Sequence, residues 1–121
     1  MKPGNIPWRP MQSASLAWDE DGSPRSTRFD DVYYSRENGL QESRYVFLEG
    51  NRLPQRWAGH QAPHFTIAET GFGTGLNFLA TWQAWRQLPQ PRPRLHFLSI
   101  EKFPLEPEQL TRATGLWPEL Q

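Results

Sequence analysis

Cysteine is absent from the 121 residues, and branched apolar residues are scarce. Without cysteine the chain has no disulfide, no thiolate nucleophile and no thiolate ligand for zinc or an iron–sulfur cluster. Valine occurs twice, and Leu, Ile, Val and Phe together make up 25 of the 121 residues. These counts exclude a large sheet built from this chain alone, and they predict a core-poor chain of one domain at most.

An excess of charge of one sign is also missing, because 13 Lys and Arg balance 13 Asp and Glu. The balance holds in each half of the chain, so the sequence has no basic stripe that could hold a nucleic-acid backbone. A polynucleotide substrate would therefore need a binding surface from elsewhere.

Long apolar runs are missing as well. The longest uncharged stretch, 70–85, contains three glycines and is shorter than the ~20 apolar residues of a membrane span. The N-terminal sequence MKPGNIPWRP has no apolar segment of the kind found in signal peptides. We therefore expect a soluble, cytoplasmic protein with no membrane partner.

Twelve prolines interrupt the chain, and we predict three regions. Residues 1–14 are interpreted as a flexible Pro-rich arm. Residues 15–60 are interpreted as an N-terminal hairpin followed by helical segments. Residues 61–121 are interpreted as the start of a Rossmann-like cofactor-binding unit, which is an incomplete domain.

The N-terminal region carries turn and helix signals. An Asp-Gly turn at 21–22 predicts a hairpin between a strand at 16–18 and a second strand that runs towards Tyr34. Apolar residues at helical spacing then predict a helix that follows Ser35 and ends at Gly50. A further short helical turn is expected from Pro54 to Gly59.

The C-terminal region alternates between strand and helix patterns. Apolar runs predict strands at 64–70 and 95–100, and helical spacing predicts a helix from Leu76 that ends before Pro89. A last short helix is expected over 107–115. Two strands joined by a helix form a βαβ unit with parallel strands. Since parallel sheets are covered on both faces, the predicted fold class is α/β, the first half of a doubly wound fold.

The segment Glu69-Thr70-Gly71-Phe72-Gly73-Thr74-Gly75 joins the predicted strand to the predicted helix. Glycine permits positive φ and bares the backbone to a ligand, and the helix N-terminus offers free N–H groups. The spacing G-x-G-x-G differs from G-x-G-x-x-G of dinucleotide folds, and no Lys-Ser or Lys-Thr of a P-loop follows. A buried Glu69 would repel a pyrophosphate and suits a cationic ligand. S-adenosylmethionine has a sulfonium, an ammonium and no phosphate.

A second acidic residue, Glu101, follows the second strand, 26 residues after Gly75. In doubly wound folds an acid at this place accepts hydrogen bonds from the ribose hydroxyls. The candidate cofactor-binding residues are Glu69, Gly71, Phe72, Gly73, Thr74, Gly75, Glu101 and Lys102. The competing interpretations are a strand-end cap for Glu69, an exposed strand terminus for Glu101 and a solvated charge for Lys102.

Other polar and aromatic residues have less specific patterns. Asp31 and Tyr33 are candidates for the mouth of the cofactor pocket, and the alternative is an edge strand with solvated acids and packed aromatics. Trp82 and Trp85 are interpreted as helix-packing residues. The histidines are interpreted as structural or exposed, and no metal site is predicted, because no spacing places two of them on one helix face. They are His60, His64 and His96.

Several motifs together resemble a known family. ETGFGTGLNFL followed by LHFLSIEKFPL, with FDDVYYS and NGLQESRYVFLEGNRL before them, is similar to the N-terminal methyltransferase domain of the bacterial MnmC family. The resemblance implies a class I (Rossmann-like) methyltransferase fold that binds S-adenosylmethionine. It also implies methylation of the 5-aminomethyl-2-thiouridine amine at the tRNA wobble position, giving 5-methylaminomethyl-2-thiouridine. In the family, an FAD-dependent oxidoreductase domain first removes a carboxymethyl group.

The family domain is longer than this chain. The resemblance therefore implies a truncated domain that carries the cofactor loop, with the catalytic residue and the FAD domain beyond Gln121. The competing hypotheses are an inactive truncated fragment, a nucleoside-binding module without chemistry, and a nicotinamide-dependent dehydrogenase. The missing G-x-x-G step and Glu69 disfavour the dehydrogenase.

Overall fold

A computed structural model describes residues 11–121. Most of the predicted Pro-rich arm, 1–10, lies outside the described residues. The end of that arm runs beside the C-terminal part of the chain, where the Ala14 N–H donates to the Pro104 carbonyl at 2.9 Å. Within the described residues, no helix has the length and apolar character needed to cross a membrane.

The first sheet is small and antiparallel, in the order β1-β2-β3. Its strands are β1 (Leu16–Trp18), β2 (Pro24–Ser26) and β3 (Asp31–Val32). The prediction of a single second strand running towards Tyr34 is wrong, because the chain turns after Ser26. The Ser26 hydroxyl accepts the Phe29 N–H at 3.2 Å, and Asp30 has a φ of 49°, so the backbone reverses before β3.

Three short helical segments follow the sheet. They are α1 (Gly39–Ser43), a π-helical segment (Arg44–Glu49) and α2 (Leu53–Ala58). The predicted single regular helix is wrong in its second half, where the turns widen and the Gly50 N–H reaches the Tyr45 carbonyl at 3.0 Å. The short helical turn predicted from Pro54 to Gly59 is confirmed as α2, with Gly59 directly after its last residue.

The second half is a βαβ unit, as the sequence predicts. Its elements are β4 (His64–Thr70), α3 (Leu76–Arg86), β5 (Arg94–Ile100), α4 (Pro107–Thr114) and a 3₁₀ turn (Pro118–Leu120). The strands β4 and β5 are parallel and pair from His64 opposite Arg94 to Thr70 opposite Ile100. The coarse fold class, mixed α/β with a parallel strand pair, is therefore confirmed.

One face of the parallel strand pair forms the core. Phe65 and Ile67 are buried, and the Phe78 ring of α3 lies 5.1 Å from the Phe97 ring of β5. Nothing in residues 11–121 covers the opposite face, where Leu98 is 61% exposed and Ile100 is 75% exposed. Alternation along each strand explains the difference, because successive side chains point to opposite faces.

The two tryptophans of α3 have different surroundings. Trp85 is a packing residue, as predicted, since its indole N–H donates to the Pro93 carbonyl at 2.7 Å and the Arg92 guanidinium lies 4.1 Å from its ring. Trp82 is 44% exposed and is therefore only partly a packing residue. Its ring lies 5.7 Å from that of Phe78.

Candidate cofactor-binding site

Three glycines shape the loop between β4 and α3. Gly71, Gly73 and Gly75 have φ angles of 83°, 57° and 80°, a region that side-chain-bearing residues rarely adopt. The Gly71 N–H donates to the Ile100 carbonyl at 2.7 Å, which prolongs the parallel pairing by one bond. The Gly75 N–H donates to the Phe72 carbonyl at 3.0 Å and closes the turn before α3.

The glycines differ in what surrounds them. A methyl group added at Gly75 would lie 2.8 Å from the Phe72 ring, and one added at Gly73 would lie 3.3 Å from the Tyr33 ring. A methyl group added at Gly71 would meet no atom within 4 Å. The backbone at Gly71 therefore borders open space, where a ligand can approach the chain closely.

A cavity of ≈ 320 Å³ lies against this loop. Its volume falls in the range of small-molecule sites, roughly 300–1,000 Å³. Of the residues predicted from the sequence, the lining includes Gly71, Phe72, Gly73, Thr74 and Tyr33. The lining residues that sequence reasoning missed are Tyr34, Gly39, Glu42, Ser43, Val46, Phe47, Leu76 and Asn77.

The cavity has an acidic character. Within the described residues, Glu42 is the one charged side chain of its lining, and no Lys or Arg contributes. Glu69 lies at the end of β4, where its carboxylate accepts the Ser99 hydroxyl at 3.0 Å. Burial raises the pKa of Glu69, and the nearby Glu101 raises it further, whereas hydrogen bonds from Ser99 and Asn77 lower it.

Glu101 fastens the glycine loop to the end of β5. One oxygen of its carboxylate accepts the Gly73 N–H at 2.8 Å, and the other accepts the Phe103 N–H at 3.3 Å. A carboxylate has about four acceptor positions, so both oxygens can take a further hydrogen bond. Glu101 is therefore a loop-positioning residue in this structure and can still accept hydroxyl groups.

Half of the ten candidates lie outside the cavity lining: Glu69, Gly75, Glu101, Asp31 and Lys102. Asp31 is exposed in β3 opposite Ser26, and its side chain is outside the cavity lining. Lys102 is also exposed and outside the lining, with its ammonium 5.4 Å from the centre of the Phe103 ring. Tyr33, by contrast, lines the cavity, and burial followed by the charge of Glu101 raises its pKa.

Asn77 of α3 is held by one hydrogen bond from α1 and by another within its own helix. The Ser43 hydroxyl donates to the Asn77 side-chain oxygen at 2.5 Å, and the Thr81 hydroxyl donates to the Asn77 carbonyl at 2.6 Å. Ser43 is 34 positions before Asn77 in the sequence, so no local spacing could have paired them.

Two of the three histidines meet across the parallel strands. The distance between His64 Nδ1 and His96 Nε2 is 3.0 Å, although no helix spacing predicts that they meet. Helix spacing could not reveal the pair, since it depends on the register of β4 and β5. Residues 11–121 contain no group of three or more His, Cys, Asp or Glu side chains that could hold a metal ion.

Fold and cavity together define a class: a mixed α/β protein in which a glycine loop after a parallel strand lines an acidic, ligand-sized cavity. In comparison with known proteins, the chain is similar to proteins named tRNA 5-methylaminomethyl-2-thiouridine biosynthesis bifunctional protein MnmC. Identity is 57% over 112 residues with the protein of Methylobacillus flagellatus and 50% over 120 residues with that of Aliivibrio fischeri. The resemblance to MnmC predicted from the sequence is confirmed.

The match covers nearly all of this chain but only a small part of each relative. The Methylobacillus comparison covers 93% of this chain but 17% of the relative, so the chain spans about a sixth of the length of these curated relatives. A crystal structure of MnmC2 from Aquifex aeolicus matches with a TM-score of 0.56 and 25% identity, over 89% of this chain and 37% of that one. No family model matches the chain.

Proposed function

We propose that this chain carries the S-adenosylmethionine-binding part of a class I (Rossmann-like) methyltransferase domain. The observation that carries the proposal is a cavity that joins the open backbone of Gly71 to acidic surroundings without any Lys or Arg in its lining. Such surroundings disfavour a pyrophosphate and favour a ligand with a sulfonium and an ammonium group. This chemistry argues against the nicotinamide-dependent dehydrogenase.

The residues present fit such a ligand in three ways. The loop Gly71–Gly75 offers bare backbone at the N-terminal end of α3, and Glu101 offers carboxylate oxygens for ribose hydroxyls. Glu42 in the cavity lining supplies negative charge for the cationic groups, and Glu69, which is outside the lining, precedes the lining residue Gly71 by two positions. When bound, S-adenosylmethionine supplies a methyl group that its sulfonium activates for transfer. Asp31 and Lys102 are outside the cavity lining, and we propose no direct contact with the ligand for them.

The curated relatives are about six times as long as this chain. For a protein of that length that contains this chain, called the longer protein below, we propose the reaction that the names of the relatives suggest. The methyl acceptor is the amine of 5-aminomethyl-2-thiouridine at the tRNA wobble position, and an FAD oxidoreductase domain prepares that amine. The balanced charge of this chain agrees with a tRNA-binding surface outside it. A tRNA substrate also places the protein in the cytoplasm.

Calorimetric titration of the chain with S-adenosylmethionine, and separately with NAD⁺, tests the cofactor. We expect S-adenosylmethionine to bind and NAD⁺ not to bind. Glu69→Gln should weaken binding severalfold because it removes a negative charge beside the cavity. Glu108→Gln is the matched control, since it removes the same charge from the exposed start of α4, whereas Glu69 is two residues before Gly71 of the cavity lining. Preferential binding of NAD⁺ would overturn the proposal.

A methyl-transfer assay separates cofactor binding from catalysis. We expect the 121 residues to bind S-adenosylmethionine without methylating tRNA that lacks the modification, because the site holds no assigned catalytic acid or base. The longer protein should transfer labelled methyl groups to the same tRNA. Label at the wobble uridine after incubation with the 121 residues alone would contradict this division. Cofactor binding without transfer by the longer protein would instead favour a nucleoside-binding module.

A further inference from the structure

A pair of histidines lies on the uncovered face of the parallel strands. His64 Nδ1 and His96 Nε2 are 3.0 Å apart, and both residues are exposed. The register places Thr66 opposite His96, so His64 is the diagonal neighbour of His96 across the two strands. Side chains in such positions lie within reach of each other, and a regular strand pair fixes their spacing.

We propose that His64 and His96 form a bidentate site for Ni²⁺ or Cu²⁺. Neutral imidazole is a good ligand for these ions, and bonds of about 2.0–2.1 Å are typical of metal–imidazole nitrogen. Two such bonds to nitrogens 3.0 Å apart enclose an angle of roughly 94° at the ion. That angle matches cis positions of octahedral or tetragonal coordination, which Ni²⁺ and Cu²⁺ adopt, better than a tetrahedron.

The surroundings leave the remaining coordination positions to water. An open cavity borders His64 but not His96, and none of its six lining residues is a carboxylate: Pro63, His64, Trp85, Gln90, Arg92 and Arg94. In the hydrogen bond between them, one of the two nitrogens donates its N–H and the other accepts. Exposure lets both imidazole rings rotate and exchange tautomer with water, so that each ring can turn a deprotonated nitrogen towards one ion. The two rings are 78° apart in orientation, with centroids 4.9 Å apart.

One positive charge opposes the site. Arg94 is opposite His64 in the register and is exposed, and it forms no ion pair within the described residues. Repulsion from Arg94 makes the affinity for the metal ion lower than that of a histidine pair with no positive charge nearby. Arg92 is directed elsewhere, since it donates to the Arg86 carbonyl at 2.8 Å and stacks on Trp85.

His60 is close in sequence but has another role. Its Nε2 lies 2.6 Å from the His64 carbonyl, which can only accept, so the His60 ring donates there. The His60 ring also packs edge-on against Phe65 at 5.0 Å. A glutamine at position 60 can donate the same hydrogen bond, which makes His60→Gln a matched control for the two proposed ligands.

Equilibrium dialysis of the 121-residue chain against Ni²⁺ tests the proposal. We expect one Ni²⁺ per chain, a loss of affinity of roughly tenfold or more in His64→Gln and in His96→Gln, and little change in His60→Gln. Equal weakening in all three variants, or unchanged binding when both proposed ligands are replaced, would overturn the site.

A gain of affinity provides a second test that a poorly folded variant cannot imitate. Arg94→Gln removes the opposing charge at an exposed position, so Ni²⁺ should bind about two- to fivefold more tightly. Far-ultraviolet circular dichroism of each variant checks that the fold is kept. Unchanged or weaker Ni²⁺ binding in a folded Arg94→Gln chain would contradict the proposed position of the ion.

Discussion

At the scale of single residues, Glu69 combines a cost for folding with a proposed role in binding. Burial is the main cause of its raised pKa, so the fold favours the protonated carboxyl and opposes its ionisation. A raised carboxyl pKa contributes stability that is present at low pH and is lost as pH rises through the folded-state value. Removal of this charge should therefore help folding at neutral pH.

We predict that Glu69→Gln raises the melting temperature at pH 7 while it weakens S-adenosylmethionine binding. The gain in melting temperature should vanish towards pH 4, where the carboxyl of the native residue is protonated as well. Thermal unfolding followed by circular dichroism at both pH values measures this. A gain that persists unchanged at pH 4 would show that ionisation is not its cause.

Glu101 combines loop positioning with proposed ribose recognition. Glu101→Ala removes the acceptor of the Gly73 and Phe103 N–H groups and the proposed acceptor of two hydroxyls. Each charge-assisted hydrogen bond contributes roughly 1.5–3 kcal/mol, so cofactor affinity should fall at least about tenfold.

Variants at Glu101 and at the neighbouring Lys102 should weaken cofactor binding to different degrees. Glu101→Gln keeps an acceptor without the charge and should lie between the native chain and Glu101→Ala in calorimetric titration. Lys102→Ala should have a smaller effect, since Lys102 is exposed beside the Phe103 ring, whereas Glu101 accepts a hydrogen bond from Gly73 of the loop. Affinity in Glu101→Ala equal to that of the native chain would refute the ribose assignment.

At the scale of elements, the turn between β4 and α3 depends on glycine. Gly75→Ala would force a side chain into left-handed backbone at φ 80° and set its methyl group 2.8 Å from the Phe72 ring. The backbone strain alone costs about 1–2 kcal/mol. Urea unfolding should therefore show a loss of at least that size in the free energy of unfolding.

Gly59→Ala is the matched control for Gly75→Ala. Gly59 has a φ of −92°, and its added methyl group would come no closer than 3.7 Å to the Gln55 carbonyl oxygen. The same substitution there should be neutral or stabilising by about 0.4–1 kcal/mol, because it restricts the unfolded chain. Equal destabilisation by both variants would show that backbone conformation is not what the turn requires.

Local patterns account for the elements that the sequence predicts well. Strand β4 and helix α3 have their boundaries marked by proline and glycine, and their apolar residues repeat at the spacing of each element. Strand β3 has two residues, which is too short for a repeat, and the π-helical segment Arg44–Glu49 departs from ordinary helix spacing. Those two elements could not be predicted from periodicity.

Some residues of the candidate site could be predicted from local sequence patterns, and others could not. The glycine loop and Glu101 lie at the ends of predicted strands, so a pattern within one segment reveals them. Glu42 and Ser43 reach the cavity from α1, and the His64–His96 pair forms across two strands. Such residues meet only through tertiary packing and strand register, for which this single sequence contains no local signal.

At the scale of the whole molecule, one sheet face is covered and the other is not. Leu98 and Ile100 are 61% and 75% exposed, whereas parallel sheets are ordinarily covered on both faces. Exposed apolar surface of this kind promotes association. We therefore expect the 121-residue chain to self-associate as its concentration rises in sedimentation velocity.

A pair of variants with equal exposure tests the role of that face. Leu98→Ser should reduce self-association, and Val46→Ser should not, although Val46 is also 61% exposed. Both changes remove similar apolar area, so the difference isolates the sheet face. A native chain that stays monomeric at all concentrations would contradict the expectation.

The central claim, that the glycine loop and Glu101 bind S-adenosylmethionine, is tested most directly by nuclear magnetic resonance. S-adenosylmethionine is titrated into the ¹⁵N-labelled chain, and the backbone amide shifts are followed. We predict saturable changes at Gly71, Gly73 and Gly75, which belong to the loop, and at Phe103, whose N–H donates to Glu101. Changes confined to the opposite end of the strand pair, around His64 and Trp57, or no changes at all, would contradict the claim.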